Sequence, residues 1–116
     1  MTAVEKVLAR TAGKAAVHAG DVVYPDPDFI MVHDGLVRGV RRELDALGID
    51  RLANPDKVMM VTDHEVIYGS ARAAEFGVIN RNAAKAWGIK NFYDVGRGGH
   101  GHIFPMESGL LLPGMF

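Results

Sequence analysis

The sequence predicts an α/β fold in which a parallel sheet is flanked by helices in three layers. Three short apolar runs, 29–34 (FIMVHD), 57–64 (KVMMVTDH) and 91–96 (NFYDVG), have the length and composition of buried parallel strands. Two segments with helical spacing of apolar residues separate these runs. The alternation of strand and helix favours right-handed crossovers in one sheet. With a total of 116 residues, we expect 1–116 to be a single α/β unit.

A short amphipathic helix is predicted over residues 2–13, at the start of the chain. Thr2 and Glu5 have the spacing of a capping box, and Gly13 marks the end of the apolar periodicity. Residues 21–28 (DVVYPDPD) follow, and their two prolines break helix. We therefore expect an extended connection into the sheet.

The two helices between the strands are predicted from their apolar spacing and their ends. The first ends at Gly48, and the second begins after Ser70 and ends at Gly88. The first has apolar residues at Leu36, Val37, Val40, Leu44 and Leu47, and the second is expected to face Phe76, Ile79, Ala83 and Trp87 inward. Residues 109–114 (GLLLPG) are expected to form a fourth extended segment.

Composition excludes several classes of function. Thirteen basic and fourteen acidic residues, without long runs, give no electrostatic surface for a nucleic acid or an anionic membrane. The absence of cysteine excludes disulfides, cysteine-ligated zinc, iron–sulfur ligation and a thiol nucleophile from this chain. The chain has neither a signal-peptide core nor an apolar run long enough to span a bilayer. We expect a cytoplasmic protein that acts on a small polar substrate or binds a protein partner.

Each predicted strand leads into residues capable of chemistry. The first run ends in His33-Asp34, the second ends in Asp63-His64, and the third leads into the glycine-rich loop 96–101. Parallel sheets place their ligands outside the carboxyl ends of the strands. All three groups are therefore expected to face one crevice.

Structural roles compete with the functional ones at these positions. Asp34 precedes a helix, so it fits either an N-cap or a substrate contact. His33 alone fits a structural histidine as well as a substrate contact. In the pair Asp63-His64, the carboxylate would raise the pKa of the imidazole and keep it a proton donor near neutral pH. Neighbouring residues on a strand point to opposite faces of the sheet. Asp63 and His64 can therefore act together only if the strand ends before them.

The glycine-rich loop allows three interpretations. Residues 96–101 (GRGGHG) satisfy the dinucleotide motif G-x-G-x-x-G, but Pro105 interrupts the long helix that motif requires. His100 and His102 lack a third zinc ligand in the sequence, so no metal site is predicted. The third interpretation is favoured: the glycines let the backbone approach a small anionic substrate, and Arg97 supplies positive charge to bind it.

Three motifs together resemble a known family. The order VHD (32–34), VTDH (61–64) and IKNFYDVGRGG..H....E.GL.LPG (89–114) is similar to the N-terminal part of the large subunit of the aconitase family, in its 3-isopropylmalate dehydratase and homoaconitase branch. The resemblance covers nearly all of the chain. It implies that the chain is an N-terminal fragment of a larger large subunit and has part of the first aconitase domain's fold.

The resemblance also implies roles for individual residues. Asp63 and His64 match the pair that delivers a proton to the departing hydroxyl, and His102 matches a histidine that contacts substrate; these three are the expected catalytic residues. His33 and Asp34 occupy positions of substrate contact.

By the same resemblance, the parent protein is a [4Fe–4S]-dependent hydro-lyase that dehydrates and rehydrates a hydroxy di- or tricarboxylate such as 3-isopropylmalate, in leucine biosynthesis. The cysteine ligands of the cluster are absent from this chain. The implied partners are the remainder of the large subunit and a small swivel subunit or domain, so we expect no dehydratase activity from the chain alone. The alternative is a stand-alone α/β module that binds a small carboxylate without catalysis. The chain departs from the family pattern at His100 and at Ile103, which stands in place of a glutamine.

Overall fold

The computed structural model describes all 116 residues and has four helices and three strands. In chain order these are α1 (Ala3–Thr11), β1 (Ile30–His33), α2 (Asp34–Ala46), β2 (Val58–Val61), α3 (Ala71–Ala86), β3 (Asn91–Tyr93) and α4 (Phe104–Glu107), with one 3₁₀ turn (Pro55–Lys57) before β2. None of the helices has the length and apolar character needed to cross a membrane.

The three strands form one parallel sheet in the order β1-β2-β3, as the sequence predicts. In the register of this sheet His33 lies beside Val61, and Val61 lies beside Tyr93. All three strands therefore end at the same level. Helix α2 begins directly after β1, and the loops that follow β2 and β3 leave from the same edge.

The core is built on β2, the central strand. Val58 and Met60 are buried on one face against residues of α2 and α3, two helices that also pack against each other. Met59 and Val61 alternate with them and are buried on the opposite face. The main cluster consists of Val37, Val58, Met60, Ala83, Ala84, Trp87 and Ile89. Burial of the central strand on both faces is the reason for its uninterrupted apolar sequence.

Helix ends follow the predicted signals. The capping box of α1 is present: Thr2 Oγ1 accepts a hydrogen bond from Glu5 N–H (3.2 Å), and Glu5 Oε2 accepts one from Thr2 N–H (2.6 Å). Ser70 caps α3. Gly48 and Gly88, which follow α2 and α3, have φ of +70° and +69°, the left-handed conformation that ends helices.

The inward face of α3 is only partly as predicted. Ala83 and Trp87 are buried, whereas Phe76 and Ile79 are half-buried. Asn80, which the apolar pattern passes over, is buried in their place. Phe76 and Ile79 instead line a cleft between α2 and α3.

The prediction of a fourth extended segment over residues 109–114 is wrong. This segment forms turns after α4, with no strand partner. The N–H groups of Leu110 and Leu111 both donate to the carbonyl oxygen of Pro105. Because these donors are bound by the preceding helix, they are not free to extend the sheet.

Replacing Met60 with alanine tests the core. Met60 is 1% exposed and lies in the main cluster. We expect Met60→Ala to lower the free energy of unfolding by about 2–5 kcal/mol, because it removes buried apolar contacts and leaves a cavity. Met106→Ala is the matched control, because Met106 is exposed and its loss should change stability by about 0.5 kcal/mol or less. Urea unfolding of both variants measures the difference; equal effects would contradict the assigned core.

Candidate active site

The carboxyl edge of the sheet brings together two of the predicted residue pairs. His33, Asp34, Asp63 and His64 each offer a nitrogen or oxygen atom, and these atoms all lie within 4.8 Å of one another. The strand β2 ends at Val61, so Asp63 and His64 lie in the loop that follows and need not point to opposite faces. The condition for Asp63 and His64 to act together is therefore met.

Asp34 supports this edge from within the fold. The predicted N-cap role is wrong for Asp34, because His33 caps α2: its Nδ1 accepts a hydrogen bond from Gly35 N–H (3.2 Å). The side chain of Asp34 is 1% exposed. Its Oδ1 accepts from His64 N–H (3.2 Å), and its Oδ2 accepts from Glu65 N–H (2.7 Å). A carboxylate in the first turn of a helix is also favoured by the helix dipole. Asp34 therefore ties the loop after β2 to the start of α2.

Asp63 links this loop to the glycine-rich loop. Its Oδ2 accepts a hydrogen bond from Gly101 N–H (2.7 Å), and its Oδ1 lies 2.6 Å from His64 Nδ1. Burial raises the pKa of the Asp63 carboxyl, but the hydrogen bonds from Gly101 and His64 outweigh burial and hold its pKa below the ordinary value. Since an ionised carboxylate only accepts, the proton between the two side chains lies on His64 Nδ1.

The neighbours of His64 favour the protonated form of its imidazole. The hydrogen bond to Asp63 raises the pKa of His64, against a smaller opposing effect of burial. Its ring stacks on that of His33, with centroids 4.0 Å apart and planes 19° apart. Half of the side chain is exposed, and Nε2 makes no hydrogen bond within the protein. When the ring is protonated, Nε2 carries an N–H that no protein group accepts, which is the property a general acid requires.

A cleft of about 210 Å³ opens beside Asp63, between the loop after β2 and the glycine-rich loop. Its other lining residues are Thr62, Val66, Gly96, Gly98, Gly99 and His100. A Cβ at Gly98 would lie 2.9 Å from Tyr93 Cβ, and a Cβ at Gly101 would lie 2.9 Å from Val61 Cγ1. These two glycines let the loop pack directly on the ends of the strands.

Arg97 and His102 lie in the same loop but outside the four-residue cluster. Both are exposed, and neither side chain makes a hydrogen bond or an ion pair. The backbone N–H of His102 donates to His100 Nδ1 (3.2 Å), which fixes the turn before α4. The roles of Arg97 in substrate binding and of His102 in catalysis stay predictions.

The donor set of the cluster also fits a metal ion in kind, since imidazole nitrogens and carboxylate oxygens bind divalent metals. However, His33 Nδ1, both oxygens of Asp34 and both oxygens of Asp63 already take part in hydrogen bonds. A metal would compete with these bonds, so the geometry favours proton chemistry.

A network around Asp94 was not anticipated from the sequence. The Asp94 carboxylate accepts hydrogen bonds from Arg81 Nε, Thr62 Oγ1 and Val95 N–H, and Arg81 Nη2 donates to Tyr68 Oη (3.0 Å). Asp94 directly follows β3, and a carboxylate at the carboxyl end of a predicted strand was the available signal. The network ties α3 to the end of the third strand.

Comparison with known proteins identifies the family. No protein-family model matches the chain. A probable 3-isopropylmalate dehydratase large subunit of Methanothermobacter thermautotrophicus is 40% identical over 114 residues, which is 98% of this chain and 27% of the relative. Two further large subunits match to a similar extent. That of Methanopyrus kandleri is 37% identical over 113 residues (97% of this chain), and that of Aquifex aeolicus is 36% identical over 114 residues (98% of this chain). The chain belongs to the 3-isopropylmalate dehydratase large-subunit family. It corresponds to an N-terminal part of that subunit and spans about a quarter of the length of the relatives. The family resemblance drawn from the sequence motifs is confirmed.

The pairing of Asp63 with His64 can be tested by titration. Because the hydrogen bond to Asp63 raises the pKa of His64, we expect NMR titration of His64 to give a midpoint above 6.5, its ordinary value, and Asp63→Asn to lower it. The stability that the pair contributes is lost as the pH falls through the lowered pKa of Asp63 and as it rises through the raised pKa of His64. Asp21→Asn removes a carboxylate elsewhere and should leave the His64 midpoint unchanged; a midpoint insensitive to Asp63→Asn would contradict the pairing.

The close packing of the glycine-rich loop on the strands can be tested through stability. A Cβ at Gly101 would also lie 3.1 Å from Asp63 Oδ2, so Gly101→Ala should lower the free energy of unfolding by about 1–3 kcal/mol through overpacking. Gly99→Ala is the control in the same loop, because its Cβ would meet Phe104 only at an ordinary 3.7 Å. Thermal unfolding of the two variants compares them, and equal melting temperatures would refute the close approach.

Proposed function

We propose that this chain forms one wall of the active site of a hydro-lyase that removes water from, and returns it to, a hydroxy di- or tricarboxylate such as 3-isopropylmalate. The observation that carries the proposal is the Asp63–His64 pair, in which Asp63 lines a cleft and raises the pKa of the half-exposed imidazole beside it. The names of the relatives supply the reaction class.

The pair would supply the proton that the departing hydroxyl needs. Hydroxide is a poor leaving group, so cleavage of the C–O bond requires protonation as the bond breaks. The proton on His64 Nε2 passes to the hydroxyl oxygen, and the C–O electron pair leaves with it as water. A base outside this chain takes the proton from the adjacent carbon, and the C–H electron pair forms the new double bond. His64 becomes neutral. Asp63 stays ionised throughout and keeps the imidazole oriented. In the hydration direction, His64 takes the proton back from the attacking water.

The remaining predicted residues would bind the substrate. Arg97 in the glycine-rich loop and His33 beside His64 would bind a carboxylate of the substrate at this edge of the sheet, and His102 would contact the substrate from the same loop. Asp34 acts through the loop it holds, since its carboxylate is occupied by backbone N–H groups.

The family name also implies an iron–sulfur cluster, whose iron would polarise the hydroxyl. Such clusters are bound by cysteine thiolates, and this chain contains no cysteine. Its residues therefore do not fit the cluster, and we assign it no step here. We propose that the remainder of the large subunit provides the ligands and that a small subunit or domain completes the site. A cytoplasmic place in leucine biosynthesis is part of the same proposal.

The activity test uses the full-length large subunit, reconstituted with iron and sulfide and combined with its small subunit. We expect Asp63→Asn and His64→Gln to lower kcat by about 10²- to 10⁴-fold, the usual contribution of a general acid, and His102→Ala to lower turnover as well. His18→Gln is the matched control, because His18 is exposed and pairs only with Asp21; its activity should be normal.

Near-normal turnover in the Asp63 and His64 variants would refute the proposal. Calorimetry on the 116-residue chain with 3-isopropylmalate tests the alternative. Tight binding by the chain alone would favour a stand-alone carboxylate-binding module, because a single wall of an active site should bind this substrate weakly.

A further inference from the structure

The loop that carries the proposed acid, residues 62–69, has both of its ends on one ion pair. At its first end, Thr62 Oγ1 donates a hydrogen bond to Asp94 Oδ1 (3.3 Å). Near its other end, Tyr68 Oη accepts one from Arg81 Nη2 (3.0 Å). Because Arg81 Nε also donates to Asp94 Oδ2, the two ends of the loop meet on this arginine and this carboxylate.

We propose that Arg81 and Asp94 are positioning residues for the Asp63–His64 pair. They act through the two loops that line the cleft beside Asp63, and not on the substrate itself. The inference rests on the proposed function where it treats His64 as the acid. The placement of the two loops is a property of the fold and is tested separately.

Asp94 fixes the start of both loops that line the cleft beside Asp63. Thr62 is 5% exposed and bound twice at the third strand: its N–H donates to Tyr93 O (2.9 Å), and its hydroxyl donates to Asp94. Asp94 Oδ1 also accepts from Val95 N–H (2.8 Å), directly before the glycine-rich loop. Asp63 joins the same two loops farther along the chain. The separation of the loops at their base is therefore set by Asp94.

Tyr68 places the other end of the loop on α3. Its ring lies against Gly77, where a Cβ would clash with Tyr68 Oη and would lie 2.9 Å from Tyr68 Cζ. The absence of a side chain at Gly77 is what allows this approach. Arg81 follows Gly77 by one helical turn on the same face, and its guanidinium donates to the tyrosine hydroxyl. Packing and a hydrogen bond together hold this end of the loop.

The guanidinium of Arg81 sets the separation between Asp94 and Tyr68. Its N–H groups lie in one plane and point in fixed directions, so one side chain binds two partners at a defined spacing. Burial raises the pKa of the Asp94 carboxyl, but the hydrogen bonds from Arg81 and Val95 N–H outweigh burial and hold its pKa below the ordinary value. Asp94 is therefore ionised near neutral pH and accepts from all of its donors.

Loosening of the two loops would reach His64 through Asp63. The main chain of His64 is held by Asp34, but its side chain pairs with Asp63. The other oxygen of Asp63 accepts from Gly101 N–H in the glycine-rich loop (2.7 Å), a bond that requires the present separation of the loops. The titration of His64 therefore reports how the loops are placed.

NMR titration of His64 in the 116-residue chain is the test. Arg81→Gln removes a cation and leaves Asp94 charged, so its direct electrostatic effect would raise the His64 midpoint or leave it unchanged. We expect a lower midpoint instead, because the pairing with Asp63 weakens. The expected fall is about 0.5 unit, a fraction of the roughly 1–3 units that a neighbouring opposite charge can produce. Arg81→Lys keeps the charge but cannot bind both partners, so it should lower the midpoint as well.

Two further variants control this titration. Arg10→Gln also removes the partner of a carboxylate, that of Asp28, outside both loops, and it should leave the His64 midpoint unchanged. Tyr68→Phe keeps the ring on Gly77 and removes only the acceptor, so it should lower the midpoint by less than Arg81→Gln does.

The proposal would be overturned by a midpoint equal to or above the parent's in Arg81→Gln or Arg81→Lys, or by an equal fall in Arg10→Gln. If Arg81→Gln does not fold, Tyr68→Phe decides, and an unchanged midpoint there would overturn it.

Turnover of the full-length enzyme separates this inference from the proposed function. A displaced acid slows the chemical step, so we expect Arg81→Gln to lower kcat by about ten- to a hundredfold, with a smaller change in KM. Normal kcat in Arg81→Gln together with a loss in His64→Gln would overturn the positioning role. Near-normal turnover of His64→Gln would refute the hydro-lyase function, while a lowered His64 midpoint in Arg81→Gln would still support the placement of the loops by Arg81 and Asp94.

Discussion

The buried carboxylate of Asp34 is the constraint on which the edge of this sheet depends. A carboxyl side chain that is 1% exposed is tolerated only when its oxygens are satisfied. Here the backbone N–H groups of His64 and Glu65 satisfy them, and the start of α2 adds the positive end of its dipole. The loop after β2 therefore has one position, with the ring of His64 stacked on that of His33.

A second carboxylate extends the same arrangement to the third strand. Asp63 accepts from His64 on one oxygen and from Gly101 N–H on the other. The acid of the proposed reaction and the support of the glycine-rich loop are thus one side chain. Substitutions of Asp63 are expected to change both stability and the pKa of His64, so a titration of His64 separates the two effects better than a melting temperature does.

The sequence predicted the sheet well because burial of β2 on both faces leaves a continuous apolar run, and because Ser70, Gly48 and Gly88 mark helix ends by local chemistry. It failed where long-range contacts decide. Residues 109–114 have an apolar composition that fits a strand, but their backbone donors are taken by the turn after α4. A composition pattern contains no information about that competition.

By itself, the sequence determined the order of the strands and helices, the meeting of His33-Asp34 with Asp63-His64 at one edge, and the family to which the chain belongs. These follow from periodicity, from the parallel topology and from motif order along the chain. Only the tertiary structure decided that His33 caps α2 while Asp34 holds the next loop, and that Asp94 joins Arg81. It also buried Asn80 on the inner face of α3, where the apolar pattern passes over it. The reason is physical: a side chain's partner depends on which donors approach it across the fold, and residues 30 positions apart leave no trace of that approach in local spacing.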